Sequence, residues 1–191
     1  MRNDSPLRDG DLVLIDAGCE YKYYASDISR TWPVNGKFTE PQREIYQLVL
    51  DVQKACIEMV KPGLNFIEIH DKSVEMITEG LIRLGLLSGT VEQNIFDGSY
   101  DRFYMHGVGH WLGMDVHDCP STSMRTKLKP GHVFTIEPGI YIPCDTDIPE
   151  KYRGIGVRIE DDILVTENGY EVLSCGAPKE IQDIELVVGR A

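Results

Sequence analysis

Four carboxylates and one histidine, spread over most of the chain, lie in settings that suit metal binding. They are Asp16, Asp27, His110, Glu137 and Glu160. Apolar, strand-like runs lie directly before Asp16, Glu137 and Glu160. An ionised carboxylate is rarely left without a partner in an apolar interior, because its desolvation is costly. If the five side chains converge, four negative charges and a neutral imidazole would balance two divalent cations.

The first two acids can be placed by strand geometry. If residues 12–18 and 24–31 form a hairpin centred between Tyr21 and Lys22, Asp16 lies directly opposite Asp27. Directly opposed side chains have Cβ atoms roughly 4.5–5.5 Å apart, and like charges so placed repel. The repulsion disappears if the pair binds two metals, which in dinuclear sites lie roughly 3.5–4 Å apart. The alternative is that both aspartates are ordinary turn residues.

The segment 105–118 contains three of the five histidines in the chain, His106, His110 and His117. Neutral imidazole is the commonest metal ligand among side chains. The glycines at 107, 109 and 113 allow the backbone to approach a ligand closely. A single histidine would more often be a core or surface residue, whereas three together favour a site.

The last two acids lie in the carboxyl-terminal third of the chain. Glu137 ends an apolar run, and strand periodicity puts Arg158 and Glu160 on the same face. An arginine beside a metal-binding carboxylate can orient it. The alternative is an ordinary strand that carries an ion pair.

An internal repeat indicates how these acids are related. Residues 7–18 align with residues 128–139 without a gap, at a constant offset of 121. Each copy has a basic turn with glycine, an apolar strand, an acid and a second glycine, so Asp16 matches Glu137. Chance similarity between two short strands is the alternative. A duplication predicts two related halves, each presenting a carboxylate to a shared centre.

The remaining pattern predicts one mixed α/β domain over residues 1–191. Thr39 and Asn65 begin two helices with capping boxes and apolar stripes, the first ended by residues 61–63 and the second by Gly85. Residues 88–105 are polar and aperiodic, which predicts a long loop. Strands are predicted at 132–142, 157–165 and 170–173, with an acidic loop from Pro143 to Arg153.

Composition limits the partners. The net charge of −12, from 19 basic and 31 acidic residues, argues against nucleic acid and anionic membranes as partners. The sequence contains no apolar run long enough for a transmembrane helix and no apolar region typical of a signal peptide. Five widely spaced cysteines suit reduced thiols, which predicts a cytoplasmic protein.

These residues together resemble the proline-specific branch of the pita-bread metallopeptidases, and within it the aminopeptidase P (Xaa-Pro aminopeptidase) family of bacterial type. The matching residues are Asp16, DISRT at 27–31, HGVGHWLG at 106–113, VHD at 116–118, EPG at 137–139 and RIED at 158–161. Order and spacing agree from Gly10 to about Glu185. The resemblance implies a duplicated α/β (α+β) pita-bread fold and two divalent metal ions, usually Mn²⁺. Co²⁺ or Zn²⁺ would also fit the ligand set.

The resemblance also implies how the metals are held. Asp27 and Glu160 would touch both metals, Asp16 would bind one of them, and His110 with Glu137 would bind the other. A hydroxide held between the ions would attack the scissile carbonyl.

Catalytic roles are implied for further residues. Glu137 would be the proton shuttle, His117 would stabilise the oxyanion, and His106 would line the substrate pocket. Arg158 and Tyr141 would contact the metal-binding residues without binding the metals themselves. The implied substrate is a peptide with an Xaa-Pro amino terminus, whose proline ring would pack on Trp111 or neighbouring apolar surface.

One departure from the family affects the expected activity. Full-length members carry a separate amino-terminal domain and a further active-site histidine upstream, whereas only 15 residues precede Asp16 here. The resemblance therefore predicts that amino-terminal elements are missing, with metal binding but weak or absent peptidase activity. Prolidase, which cleaves Xaa-Pro dipeptides, resembles the chain almost as well, and methionine aminopeptidase less well. A truncated, inactive binding module of the same fold and a homo-oligomer are further alternatives.

Overall fold

The predicted helices and strands occur in the predicted order, with strands on both sides of a helical middle section, and an unpredicted helix follows the last strand. The computed structural model describes residues 4–189. The helices are α1 Glu40–Glu58, α2 Phe66–Arg83, α3 Val91–Asp97 and α4 Ile181–Val188. The strands are β1 Leu12–Ala17, β2 Glu20–Tyr21, β3 Tyr24–Ala25, β4 Ile28–Pro33, β5 Val133–Ile136, β6 Gly139–Tyr141, β7 Gly156–Arg158, β8 Asp161–Val165 and β9 Tyr170–Val172.

The strands form antiparallel pairs. In the described residues β1 pairs with β4, β2 with β3 and β6 with β7, while β5, β8 and β9 form a three-stranded sheet in that order. Helix α1 packs against β5, β6 and β7 and against α2, and α4 packs against β4 and α1. The core lies between these helices and the strands, so the opposite sides of the strands are available to build a site.

Helices α1 and α2 begin where the capping boxes predict. The backbone N–H of Thr39 donates to the Gln42 side chain at 2.9 Å, and that of Asn65 donates to Glu68 at 2.8 Å. Both helices bury an apolar stripe, which includes the fully buried Ile45 of α1. Complete burial of such a side chain contributes about 1.5–3 kcal/mol. The helices are therefore held by core packing, as their periodicity predicted.

The internal repeat is visible in the backbone. Gly10 and Gly131 precede β1 and β5, and their φ angles of 89° and 88° lie in the left-handed region that favours glycine. In both copies the next residue donates its N–H to the carbonyl three residues back, at 3.1 Å. Each copy then leads into an antiparallel strand pair. The matching glycine φ angles and turn hydrogen bonds of the two copies support the duplication predicted from residues 7–18 and 128–139.

The predicted register of the first hairpin was wrong by two residues. Asp16 lies opposite Ser29, and Asp27 lies diagonally across from Asp16. The reason is the turn, which is centred between Lys22 and Tyr23, one residue later than predicted. Both turn residues have positive φ, 51° and 72°, as a two-residue type I′ turn requires. Asn-Gly usually marks that turn, and this sequence lacks the signal.

Three further details differ from the sequence predictions, the first being that the predicted strand at 157–165 is divided into β7 and β8 at Ile159 and Glu160. Residues 88–105 are not a long loop, because they contain α3 and a 3₁₀ helix at Ser99–Arg102. Both elements are too short to show a clear helical period. The predicted strand at 132–142 is divided into β5 and β6 at Glu137 and Pro138, since proline has no N–H for a strand ladder. Within residues 4–189 no helix is both long and apolar enough to cross a membrane.

A buried charge network joins the strand pairs to the carboxyl-terminal segment. Asp161 is fully buried and accepts hydrogen bonds from Arg30 at 2.7 Å, Lys179 at 2.6 Å, Ser174 at 2.6 Å and Gln53 at 2.7 Å. Burial opposes ionisation of Asp161, but the two cations hold its pKa below the ordinary value. The network therefore fixes the backbone at Asp161, directly after Glu160.

We expect Asp161→Asn to lower the free energy of unfolding by about 3–5 kcal/mol, because it leaves the buried charges of Arg30 and Lys179 without their partner. Urea denaturation followed by circular dichroism measures the change. Asp145→Asn is the matched control, since Asp145 pairs with Arg102 on the surface, where ion pairs contribute little. A loss no greater than that of the control would contradict the structural role of the network.

Candidate metal centre

The five predicted ligands approach one another from separate elements. Asp16 lies near the end of β1 and Asp27 directly before β4. His110 lies in an extended segment, Glu137 directly after β5, and Glu160 between β7 and β8. Four of the five are therefore at or beside strand ends, as their sequence setting predicted.

Segment 108–112 runs antiparallel to β5 and brings His110 beside Glu137. Glu137 N–H donates to the Val108 carbonyl at 2.7 Å, and Thr135 N–H donates to the His110 carbonyl at 2.9 Å. His110 is therefore opposite Thr135 and diagonal to Glu137. A Cβ atom on Gly109 would lie 1.9 Å from the Thr135 carbonyl oxygen, so only glycine allows this approach.

Asp27, His110 and Glu160 form the tightest group. Each offers one donor atom within 4.8 Å of the others. The Nε2 atom of His110 lies 3.3 Å from Asp27 Oδ2 and 3.4 Å from Glu137 Oε1. Its Nδ1 atom lies 3.1 Å from the Trp111 carbonyl, which can only accept, so Nδ1 carries a hydrogen. In the neutral ring the Nε2 lone pair then faces the carboxylates, as in a metal-binding histidine.

The acids are held in an unfavourable electrostatic setting. Glu160 is 1% exposed, and burial followed by the charge of Glu137 raises its pKa to about 8. Burial also raises the pKa of Glu137 and that of Asp16. Each raised pKa means that the charged carboxylate is destabilised where it lies. A cation among these side chains would relieve the cost, so the donor set fits a divalent metal.

The pKa of His110 is raised by the same excess of negative charge. Burial opposes protonation of the ring, but the hydrogen bond to Asp27, the Trp111 carbonyl and the charge of Glu137 raise the pKa of His110 to about 9. The ring proton thus supplies the positive charge that the acids require. A divalent cation bound at Nε2 would take over that role.

Arg158 connects the acids to a second hydrogen-bond chain. Its guanidinium donates to Asp16 at 2.7 Å, to Ser29 at 2.9 Å and to the Tyr141 hydroxyl at 2.9 Å. Tyr141 lies 2.9 Å from His106 Nε2. Since His106 Nδ1 faces a carbonyl and must carry the hydrogen, Tyr141 donates to Nε2. Burial lowers the pKa of His106, which favours this neutral form.

A cavity of 480 Å³ opens onto these side chains. Its lining residues are Asp16, His106, Gly107, Gly109, His110, His117, Glu137 and Arg158. The His117 ring packs edge-on against His110, with 4.4 Å between ring centroids. All three histidines of segment 105–118 therefore face one cavity, as their clustering indicated.

Trp111 lies apart from this cavity. It is 8% exposed, packs against Phe66, Phe134 and His132, and lines a neighbouring cavity of 580 Å³. Contact between Trp111 and a proline ring therefore stays a prediction.

Sequence reasoning missed three buried polar residues of the site. Ser29 and Thr135 place hydroxyl groups on Glu160 and Glu137, and the Asp162 carboxylate accepts the backbone N–H of Asp27 at 3.2 Å. Burial raises the pKa of Asp162 to about 6. Hydroxyl residues in strands carry no distinctive signal, whereas the position of Asp162 beside Asp161 could have drawn attention to it.

We expect Gly109→Ala to lower the free energy of unfolding by about 1–3 kcal/mol, because the new methyl group overlaps the Thr135 carbonyl. Gly176→Ala is the matched control, since its Cβ atom would meet no atom within 4 Å. Thermal unfolding of both variants measures the difference. Equal stability of the two would show that segment 108–112 is not packed this closely on β5.

Comparisons of the sequence and of the structure with known proteins match the chain to the same family of metallopeptidases. The profile of metallopeptidase family M24 matches residues 1–167. A Xaa-Pro aminopeptidase of Haemophilus influenzae is 56% identical over 185 residues, covering 96% of this chain and 43% of that protein. The Xaa-Pro aminopeptidase of Escherichia coli is 50% identical over 188 residues, covering 97% and 43%. Human Xaa-Pro aminopeptidase 3 is 47% identical over 192 residues, covering 100% and 38%. The chain thus spans less than half the length of these relatives.

Solved structures share the fold. A zinc-substituted aminopeptidase P of E. coli in complex with product has a TM-score of 0.94 and 49% identity, covering 97% of this chain and 43% of that one. An alanine variant of the same enzyme has a TM-score of 0.93 and 48% identity, with the same coverage. The predicted pita-bread fold is confirmed by this likeness.

Proposed function

This chain belongs to metallopeptidase family M24, and on that premise we propose that it carries the metal centre of a proline-specific aminopeptidase. Such an enzyme releases the first residue from peptides with proline in second position. The observation that carries the proposal is the convergence of Asp27, His110 and Glu160, with Asp16 and Glu137 beside them, in a chain covered by Xaa-Pro aminopeptidase relatives.

The proposed metal ligands are the five residues predicted from the sequence. Asp27 and Glu160 would contact both ions, Asp16 would bind one, and His110 with Glu137 would bind the other. The closeness of Asp27, which together with burial raises the pKa of Asp16, and the short distances around His110 Nε2 support this grouping. Four oxygen-donor residues and one imidazole suit Mn²⁺. When bound, the metals supply Lewis acidity and activate water for attack on the scissile carbonyl.

Glu137 is the residue best placed to move the proton. Its Oε1 faces His110 in the centre of the site, and its Oε2 lies 3.9 Å from Arg158 Nε at the edge. A carboxylate in this position can accept a proton from water and return it to the leaving nitrogen. Thr135 donates a hydrogen bond to Oε1, which limits the rotation of the carboxylate.

His117 and His106 are proposed to contact the substrate. His117 lines the cavity beside His110 and can donate a hydrogen bond to the developing oxyanion. His106 is fixed by Tyr141 and stacked edge-on against Tyr104, so it presents a rigid wall for the residue after the cleaved bond. Arg158 holds Tyr141 and thereby supports this wall.

Two further properties are proposed for the whole chain. The chain is proposed to be a single, partial catalytic domain, which is supported by one continuous core in residues 4–189 that includes α1, α2 and β5, with Leu12 of β1 packed against it. A cytoplasmic location is supported by the five free thiols, of which Cys56 is buried.

We expect Mn²⁺ to raise the thermal unfolding temperature, because a ligand that binds only the folded state stabilises it by about 2.7 kcal/mol at 100 times its dissociation constant. Asp27→Asn and Glu160→Gln should abolish most of this shift. Glu171→Gln, on the exposed face of β9, is the control and should keep it. A shift that survives both site variants would place the metal elsewhere.

Peptide hydrolysis tests the activity and its specificity. We expect at most slow Mn²⁺-dependent release of the first residue from an Xaa-Pro-Xaa tripeptide, and Glu137→Gln should lower the rate of any such release about 10²–10⁴-fold. Mass spectrometry of the products measures both. The weak or absent turnover expected from the sequence stays a prediction.

The other outcomes distinguish the alternatives. Cleavage of Xaa-Pro dipeptides only would identify a prolidase, and metal binding without any hydrolysis would favour a binding module. Hydrolysis unaffected by Glu137→Gln would contradict the proposed proton shuttle.

A further inference from the structure

Two buried hydroxyl groups occupy the same position relative to the proposed ligands. In the β1–β4 pair, Ser29 lies opposite Asp16, and Asp27 lies two residues before it. In the ladder between segment 108–112 and β5, Thr135 lies opposite His110, and Glu137 lies two residues after it. Each ladder therefore presents a ligand, a hydroxyl residue opposite it and a second ligand on the diagonal.

Ser29 holds Glu160 at two points. Its hydroxyl donates to Glu160 Oε2 at 2.7 Å, and its carbonyl accepts the Glu160 N–H at 3.1 Å. The same hydroxyl accepts a hydrogen bond from Arg158 Nε at 2.9 Å. Ser29 is fully buried, so water does not compete for these bonds. The orientation of the Glu160 carboxylate thus depends on one hydroxyl group.

Thr135 performs the same task for Glu137. Its hydroxyl accepts the His110 N–H at 3.1 Å and donates to Glu137 Oε1 at 3.3 Å. Thr135 is also fully buried. One hydroxyl group therefore links the backbone of one proposed ligand to the side chain of another.

A hydroxyl group suits this position because it orients a carboxylate without neutralising it. A lysine or arginine in its place would form an ion pair and compete with a metal for the same oxygens. Ser29 illustrates the difference, since it lies between the Arg158 guanidinium and Glu160. The Ser29 hydroxyl accepts a hydrogen bond from Arg158 and donates one to Glu160, so the guanidinium does not contact Glu160 directly.

We propose that Ser29 and Thr135 are positioning residues that orient Glu160 and Glu137 for metal binding, an inference that rests on the proposed metal centre. Neither residue would itself contact the metal. Outer partners of metal ligands typically change metal affinity or activity by about 10–100-fold when they are removed. The inference therefore predicts a loss of affinity in a chain that keeps all five ligands.

The test is titration of the metal-free chain with MnCl₂ by calorimetry, together with thermal unfolding without metal. The variants are Ser29→Ala, Thr135→Val, which keeps the side-chain shape, and Thr135→Ser, which keeps the hydroxyl. Thr78→Val is the matched control, because Thr78 is equally buried but its hydroxyl bonds only to the Val74 carbonyl within α2.

We expect Ser29→Ala and Thr135→Val to weaken Mn²⁺ binding about 10–100-fold, while Thr135→Ser and Thr78→Val stay close to the unchanged chain. The metal-free unfolding temperature of Thr135→Val should fall no further than that of Thr78→Val. This combination separates positioning of a ligand from general packing. Should Thr135→Val not fold, Ser29→Ala applies the same test to the other hydroxyl.

Two failures can be told apart. If the unchanged chain binds no Mn²⁺, the proposed metal centre itself fails. If it binds Mn²⁺ and both hydroxyl variants bind it equally well, the metal centre stands and the positioning role is overturned. Equal losses of affinity in Thr135→Val and Thr78→Val would likewise overturn it.

Discussion

Repulsion between buried carboxylates is the constraint on which the rest of this structure depends. Asp27, Glu137 and Glu160 approach one another where water screens their charges poorly, with the more exposed Asp16 beside them. Burial raises the pKa of Asp16, Glu137 and Glu160. Folding alone gains nothing from such a cluster, since apolar side chains in these positions would pack without electrostatic cost. The protein supplies Arg158 and a protonated His110 as partial compensation. Two divalent cations would match the charge of the four carboxylates, with His110 returned to its neutral form.

The fold meets this constraint by fixing the backbone behind each acid. Two antiparallel ladders place ligands on diagonals. In the second ladder, Gly109 allows segment 108–112 to approach β5 closely. Behind Glu160, the Asp161 network ties the strand to Arg30 and Lys179, so the acid cannot move away from its neighbours. Hydroxyl groups then orient the carboxylates without cancelling their charge. Rigid strands hold the acids together, and neutral donors keep them available to a metal.

The sequence predicted those features that depend on residue type and period. The capping boxes at Thr39 and Asn65 located α1 and α2, and the acid in register between the two repeat copies related Asp16 to Glu137. Features that depend on tertiary contacts were not predicted from the sequence. The turn at Lys22 and Tyr23 adopts positive φ without glycine or asparagine, so the hairpin register was misplaced. Helices α3 and α4 are too short for a clear period. Ser29 and Thr135 resemble ordinary strand residues until the three-dimensional contacts reveal what they hold.

The proposed dinuclear metal site of these five side chains can be tested directly. The most direct measurement is anomalous X-ray diffraction from crystals of the chain grown with Mn²⁺. We expect two anomalous peaks roughly 3.5–4 Å apart, with Asp27 and Glu160 between them. Asp16 should lie at one peak, and His110 with Glu137 at the other. The proposed dinuclear site would be contradicted by a crystal that contains bound Mn²⁺ but shows no peak among these residues. A single peak that Glu160 does not contact would also contradict the proposed site.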